Sequence, residues 1–242
     1  PGSKLQLYTL YLDRSLGGGR LRVGQAEVPW GYELGVSSAD LWSGERSLFM
    51  DRLFPDQRDI GVQYHWSLAK DGPVADIGLF NGTGIDAGDN NAHKDLLGRA
   101  RFPWPGGSAS LSYYDGQSGT GATAQDRSRV GLGALHAWGR FSLLTEYVTG
   151  RDRGAKVAGA YAQLGYRPPN TGDLVFVKPD WYDENRGRAG DAFRRTTVGY
   201  SHDLSAATRL TLAYEFRGAS ANFSDLANWD GDAGWVQWLL KY

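Results

Sequence analysis

The chain has 242 residues, and its 26 basic and 27 acidic side chains leave a formal net charge of -1. This balance argues against a nucleic-acid partner, which normally requires a basic face. The absence of cysteine excludes disulfides and thiolate metal sites. No run approaches the roughly eighteen apolar residues of a membrane-spanning helix.

Short runs that alternate apolar and polar residues recur along the chain, and Gly, Asp, Asn or Pro closes each run. In Thr208 to Phe216 the apolar residues fall on every second position, which is the period of a strand and not of a helix. We predict thirteen strands, near 4–12, 19–26, 59–68, 73–82, 95–104, 108–115, 127–138, 140–150, 156–167, 173–180, 193–203, 207–217 and 234–242.

The connections between these strands are predicted to alternate in length to the end of the chain. Short ones near 69–72, 105–107 and 204–206 alternate with long ones near 83–94, 116–126 and 218–233. One segment, 28–58, has no strand period and is rich in aromatic residues. A loop of that length is usually functional. It either folds into a barrel and narrows it, or forms an extracellular cap or a disordered segment.

Composition favours a membrane barrel over a soluble β protein. Aromatic residues make up 13% of the chain although the mean hydropathy is only -0.45. A transmembrane antiparallel β-barrel reconciles the two values, because its outer face is apolar, its interior is wet and aromatic girdles mark both interfaces. The last run places Val236, Trp238, Leu240 and Tyr242 on one face, like a bacterial barrel-assembly signal. We therefore predict an all-β transmembrane barrel in a bacterial outer membrane. A soluble all-β binding module remains the alternative.

Five segments occur in the order typical of one porin family: Leu-Arg-Val-Gly-Gln at 21–25, Val-Pro-Trp-Gly-Tyr-Glu-Leu at 28–34, Ser-Ser-Ala-Asp-Leu at 37–41, Phe-Met-Asp-Arg at 49–52 and Arg-Asp-Ile-Gly-Val at 58–62. The same order continues downstream through Gly78-Leu79-Phe80-Asn81-Gly82, Glu146-Tyr147, Gly159-Ala160-Tyr161, Thr197-Val198-Gly199-Tyr200 and Thr208-Arg209-Leu210. The chain therefore resembles the phosphate-selective porin O/P family over essentially its whole length. The resemblance implies a sixteen-stranded, homotrimeric barrel whose constriction loop is 28–58.

By the same comparison the first predicted strand corresponds to the family's fourth strand. We therefore expect residues 1–242 to form a single barrel domain that lacks three N-terminal strands. The odd number of predicted strands agrees, because bacterial single-chain barrels have even numbers. The three strands would be cut away, untraced or supplied by another polypeptide, and a miscounted strand is the alternative explanation.

If the apolar face of each strand meets lipid, the other face lines the pore, where Arg and Lys lower the barrier to anions. This predicts weak anion preference, unless the charges simply pair across strands. The predicted pore-lining cations are Arg20, Arg22, Arg99, Arg101, Arg129, Arg167, Arg195, Arg209 and Lys241, against Asp59, Asp76, Asp173, Glu146 and Glu215.

The charges of the constriction loop are mixed. They comprise Arg46, Arg52 and Arg58 beside Glu33, Asp40, Glu45, Asp51 and Asp56. Phosphate-specific members of the family concentrate basic residues here, so this mixture favours a general or weakly selective channel. The loop aromatics Trp30, Tyr32, Trp42 and Phe49 either anchor the loop to the wall or form a stacking surface for sugars.

We expect no enzyme activity and no cofactor. The four histidines, His65, His93, His136 and His202, lack metal-ligand spacing, and no Gly-x-Ser-x-Gly motif occurs. Two acidic loop clusters are weak calcium candidates, with Asp86 and Asp89 in one and Asp230 and Asp232 in the other. Solvated turn residues explain them equally well.

Taken together, these features predict a porin for passive diffusion of small anionic or neutral hydrophilic solutes, with outer-membrane lipid and lipopolysaccharide as partners. A structural or partner-binding barrel without an open channel is the main alternative.

Overall fold

A computed structural model of the chain describes residues 7–37, 39–55, 57–224 and 231–240. Thirteen strands account for most of these residues, together with one short α-helix, α1 (Leu48–Leu53), and two 3-10 turns at Glu33–Gly35 and Gly121–Thr123. The strands are β1 (Leu10–Leu16), β2 (Gly19–Glu27), β3 (Arg58–Ser67), β4 (Val74–Phe80), β5 (Asp95–Trp104), β6 (Gly107–Ser118), β7 (Gln125–Trp138), β8 (Phe141–Asp152), β9 (Ala155–Tyr166), β10 (Asp173–Asp183), β11 (Ala192–Ser205), β12 (Thr208–Ala219) and β13 (Ala233–Leu240).

All thirteen strands form one antiparallel sheet, in which each strand pairs with its neighbours in chain order. The predicted number of strands and the all-β class are therefore confirmed. The first strand begins at Leu10, later than predicted, and residues 4–6 of that prediction lie outside the described residues. Lys241 and Tyr242 also lie outside them. Among the described residues, no helix is long and apolar enough to cross a membrane.

The two faces of the sheet differ in chemistry, as the alternating pattern predicts. One face, called the outward face, exposes large apolar side chains such as Leu79, Leu132 and Val236. Residues on this face are neighbours across strands, because Val62 pairs with Leu79 and Leu79 with Leu96. The opposite, inner face carries most of the charged and small polar side chains of the strands. An exposed apolar surface of this extent is typical of a lipid-facing wall.

Connection lengths follow the predicted alternation with one exception. The connection between β8 and β9 falls on the side of the long loops, yet it is only Arg153 and Gly154. Both residues have positive φ, of 49° and 82°, as a two-residue hairpin turn with the twist of the sheet requires. The two ends of the sheet are called the long-loop rim and the short-turn rim below.

The segment between β2 and β3 packs on the inner face of the sheet. Its apolar side chains form a core with the wall, and Trp30, Leu34, Phe49 and Met50 are each at most 1% exposed. Burial of a large apolar side chain stabilises by about 1.5–3 kcal/mol. The segment is therefore a packed structural element, although its sequence has no strand period.

Candidate channel interior and its loop

Loop aromatics rest against glycines of the inner wall. A Cβ added at Gly131 would lie 2.6 Å from the Trp30 ring, and one at Gly159 would lie 2.6 Å from the Phe49 Cβ. Because a larger wall residue would collide with the ring, the glycines create flat seats for the loop. The seats pair Trp30 with Gly131, Tyr32 with Gly133, Phe49 with Gly159 and Trp42 with Gly165.

A buried ion pair joins the loop to the wall. Lys178 of β10 lies 2.6 Å from the Glu33 carboxylate, and the two side chains are 0% and 1% exposed. The Lys178 ammonium also donates to the Ser43 hydroxyl and the Glu45 carbonyl. The second oxygen of Glu33 accepts hydrogen bonds from the Ser47 N–H and hydroxyl, at 2.8 and 2.6 Å. The hydrogen bonds that Glu33 and Lys178 make with the loop offset the free-energy cost of burying this ion pair.

Glu146 of β8 holds the start of the loop. Its carboxylate accepts the backbone N–H groups of Tyr32 and Glu33 at 2.8 and 3.0 Å, and the Tyr161 hydroxyl at 2.6 Å. Gly31 has a φ of 49°, and a Cβ there would collide with this carboxylate. The turn therefore requires glycine at position 31.

Two predicted pore-lining arginines lie beneath the loop. Arg195 donates to Asp180 at 2.7 Å and to the Arg46 carbonyl at 2.6 Å, whereas Arg129 donates to the Leu53 carbonyl at 2.9 Å. Each side chain is 2% exposed. Both arginines point inward and donate to the loop, and Arg129 also borders a cavity beside the loop.

Four other predicted arginines surround a cavity of about 160 Å³ between the wall and the start of the loop. Arg22 pairs with Asp13 at 2.7 Å, and Arg99 pairs with Asp76 at 2.9 Å. Arg101 differs, because its guanidinium forms no ion pair or hydrogen bond with a described residue, and its Nε is buried. The charged and polar lining comprises Arg20, Arg22, Arg99, Arg101, His65, Glu27, Asp76 and Gln63.

A second basic cavity, of about 230 Å³, lies nearer the long-loop rim. Like the first cavity, it borders Val28 at the start of the loop. Its five arginines outnumber its two acids, so a small anion would experience an attractive field there. The charged lining comprises Arg52, Arg58, Arg127, Arg129, Arg153, Asp59 and Asp152.

The remaining predicted wall residues lie elsewhere. Arg209 points inward and pairs with Asp203 at 2.6 Å, and Arg167 lies exposed beyond the end of β9. The inward assignment of Asp173 is wrong. Its carboxylate accepts the Tyr200 hydroxyl and contacts His202, and these two residues lie on the outward face near the short-turn rim.

The charges of the loop have separate roles. Arg46 is buried and donates to the carbonyls of Glu33 and Val36 at 2.7 and 2.8 Å. Arg58 pairs with Glu27 at 2.8 Å. The Arg52 guanidinium lies 5.4 Å from the centre of the Phe223 ring. Asp56 lies outside the described residues.

Asp51 is the acidic residue of α1, and its carboxylate lies among protein groups although part of the residue reaches solvent. Desolvation and, second, the nearby Glu33 charge raise the pKa of Asp51 to about 6, whereas the cations Arg195, Arg46 and Lys178 act in the opposite direction. The charge of the loop is therefore expected to change near pH 6.

The acidic loop residues form turns and ion pairs. Asp86 accepts the Leu7 N–H at 2.7 Å, and Asp89 pairs with Lys94. Asp232 accepts the Tyr214 hydroxyl and the Arg217 N–H, both at 3.1 Å. Asp230 lies outside the described residues. In the described parts of the chain, no three acidic or histidine side chains gather as a metal site would require.

Comparison with known proteins identifies the fold. No family model matches the sequence, and no curated protein matches it either. Solved structures do match. An anion-selective porin from Comamonas acidovorans is 19% identical, with a TM-score of 0.65 over 96% of this chain and 72% of that one.

Two further structures agree. OmpF of Salmonella typhi, in complex with daunomycin, is 13% identical, with a TM-score of 0.68 over 91% of this chain and 73% of that one. The outer-membrane OmpT of Vibrio cholerae is 11% identical, with a TM-score of 0.60 over 86% and 69%. The chain has the fold of bacterial outer-membrane porins.

Proposed function

We propose that the chain is a passive channel of a bacterial outer membrane that conducts small hydrophilic solutes with a weak preference for anions. Residues 28–58 form the constriction, because this loop packs across the inner face of the wall. Selection follows size and charge, without covalent chemistry. The apolar outward face supports insertion into lipid, and one protein of similar fold is described as an anion-selective porin.

The observation that carries the anion preference is the unpaired guanidinium of Arg101. It borders the same cavity as Arg20, Arg22 and Arg99, next to the start of the loop. A planar guanidinium binds oxyanions and carboxylates through two parallel hydrogen bonds. Arg20, Arg22 and Arg99 lie beside acids, so among the described cations of this cavity Arg101 has free hydrogen-bonding capacity for a passing anion.

The order of the motifs supports membership of the phosphate-selective porin O/P family, a sixteen-stranded barrel and a homotrimer. The mixed loop charges, with Arg46 buried and Arg58 paired, favour weak anion selection over strict phosphate selection. Outer-membrane lipid and lipopolysaccharide would cover the outward face, with the long loops at the cell exterior.

Replacing Arg101 by glutamine is expected to lower the anion-to-cation permeability ratio, measured as the reversal potential in a salt gradient. A unit charge 4 Å from an ion contributes about 1 kcal/mol in water, and its loss acts with opposite sign on an anion and on a cation, so at this distance the ratio should fall about 30-fold. The matched control is Arg194→Gln on the outward face, which should leave the ratio unchanged. If the two variants had the same anion-to-cation permeability ratio, Arg101 would not lie in the conducting path.

Lowering the pH is expected to strengthen the anion preference. Asp51 loses its negative charge as the pH falls through its pKa of about 6, so the loop becomes more basic between pH 7 and pH 5. Asp51→Asn should show at pH 7 the reversal potential that the wild type shows at pH 5. If the variant keeps the full pH dependence of the wild type, another group is responsible.

A further inference from the structure

In the second basic cavity, three arginines surround a single carboxylate. Asp152, the last residue of β8, forms an ion pair with Arg129. The same carboxylate lies 3.5 Å from the Nε of Arg127 and 4.0 Å from the Nε of Arg153, and both distances are too long for a hydrogen bond. One negative charge therefore serves three positive charges.

The other described acid of this lining hydrogen-bonds to the backbone. Asp59 accepts the N–H groups of Ile60 and Gly82 at 2.7 and 2.6 Å. The Nε atoms of Arg127 and Arg129 are buried and have no hydrogen-bond acceptor among the described residues. Buried donors without an acceptor are rare in folded proteins. The two arginines therefore favour an additional anionic partner.

Part of the lining of the second basic cavity is apolar. Val28, Leu53, Phe54 and Leu97 border it, and each of these residues is at most 7% exposed. An inorganic anion has no apolar surface to place against these side chains and would leave them facing water. A ligand that fits the whole lining has an apolar body as well as a negative charge.

The volume of the cavity sets the size of such a ligand. An apolar cavity of about 150 Å³ in another protein holds a benzene molecule. The second basic cavity, at about 230 Å³, therefore has room for a six-membered ring together with a carboxylate. Ligand pockets commonly combine an apolar lining with a few polar groups that fix the orientation of the ligand.

We infer that the second basic cavity binds small carboxylates with an apolar body, and that aromatic monocarboxylates fit it best. The arginines beside Asp152 hold the carboxylate, because a guanidinium binds a carboxylate through two parallel hydrogen bonds. The apolar part of the lining takes the ring. The inference rests on the proposed function in one respect, namely that these carboxylates are solutes of the channel.

The test uses the full chain, folded in detergent, and measures binding of benzoate by isothermal titration calorimetry at about pH 8, where carboxylic acids are ionised. The variant Arg127→Gln/Arg153→Gln is expected to bind benzoate about 30-fold more weakly, because each lost charge weakens attraction about five-fold at 4 Å in water. Arg129 keeps its contact with the loop in this variant. Heat-modifiable migration on gels verifies that each variant is folded.

The matched control is Arg151→Gln/Lys156→Gln, which removes two cations from the outward face of the same hairpin. Arg151 and Lys156 are exposed and lie opposite each other in the pairing of β8 with β9. They point outward because their neighbours Asp152 and Val157 point inward, toward Arg129 and the core. This variant should bind benzoate as the wild type does.

Other ligands separate the contribution of the charge from that of the ring. Acetate lacks the ring and should bind about ten-fold more weakly than benzoate, because it buries less apolar area. Benzamide has the ring without the charge and should also bind more weakly. Val28→Thr, which places a hydroxyl in the apolar lining, should weaken the binding of benzoate and leave that of acetate unchanged.

Two results would overturn the inference. The first is equal binding of benzoate by the wild type and by the folded variant Arg127→Gln/Arg153→Gln. The second is binding of acetate or inorganic phosphate as tight as that of benzoate, which would make the cavity a site for small anions in general.

Channel recordings separate this inference from the proposed function. Benzoate should reduce the chloride current of the wild type, and it should do so less in Arg127→Gln/Arg153→Gln. If the wild type binds benzoate but conducts no ions, the proposed function fails and the binding site remains. If the wild type conducts ions but does not bind benzoate, the inference fails and the proposed function remains.

Discussion

Lys178→Met is expected to detach the loop from the wall and to raise the single-channel conductance. The substitution leaves the Glu33 carboxylate buried without its cation, which costs about 3–5 kcal/mol in comparable buried pairs. The loop can avoid this cost only by moving Glu33 into water, away from the inner face. Planar-bilayer recordings should show larger and noisier conducting steps, and thermal unfolding should begin at lower temperature.

The double variant Glu33→Gln/Lys178→Met is the control for this prediction. It removes both charges, so no uncompensated ion remains, and its loss of stability should be smaller than the sum of the two single losses. The amide of glutamine still provides an oxygen for the Ser47 N–H. Additive losses would mean that the ion pair does not hold the loop. A wild-type conductance in Lys178→Met would contradict the role of the loop as the constriction.

Gly159→Val is expected to have the second large effect, because it removes the seat of Phe49. The Cβ alone would lie 2.6 Å from the Phe49 Cβ, so the loop must move or the strand must bend. Overpacking of a tight core costs about 1–3 kcal/mol. Loss of the seated ring should increase conductance, and it should also make the loop a substrate for added protease.

A matched valine substitution distinguishes the seat from a general effect on strands. Gly218 of β12 also lies in a strand, and a Cβ there would meet no atom within 4 Å. Gly218→Val should therefore keep the wild-type conductance and the protease resistance of the loop. Similar behaviour of the two variants would assign the effect to strand distortion instead of the loss of a seat for Phe49.

The strands can be predicted from the sequence because one face of each strand is apolar and the other is polar. Apolar and polar residues must therefore alternate along each strand. Residues 208–216 illustrate the point, since their alternation is visible without any tertiary information. The exceptions have local causes. Arg153 and Gly154 form a two-residue turn where the sequence suggests a longer connection. The turn is hard to predict because an arginine with positive φ is uncommon.

The interior was less predictable because its key contacts join residues far apart in sequence. Lys178 and Glu33 are separated by 145 positions, and neither residue has a local pattern that indicates its partner. The wall glycines offer a partial signal, since Gly131 and Gly133 leave two successive inward positions of one strand without side chains. The strand alternation puts Arg129 and Arg195 on one face with the other candidate pore-lining residues, but only the structure shows that both donate hydrogen bonds to the loop.

The central claim, that this wall and its loop form an anion-preferring channel, is tested most directly by recording from the folded wild-type protein in a planar bilayer under a potassium chloride gradient. Discrete conducting steps are predicted, and their reversal potential should be shifted from zero toward the chloride equilibrium potential. The claim would be contradicted if folded protein inserted without conducting steps. It would also be contradicted if the reversal potential shifted toward the potassium equilibrium potential.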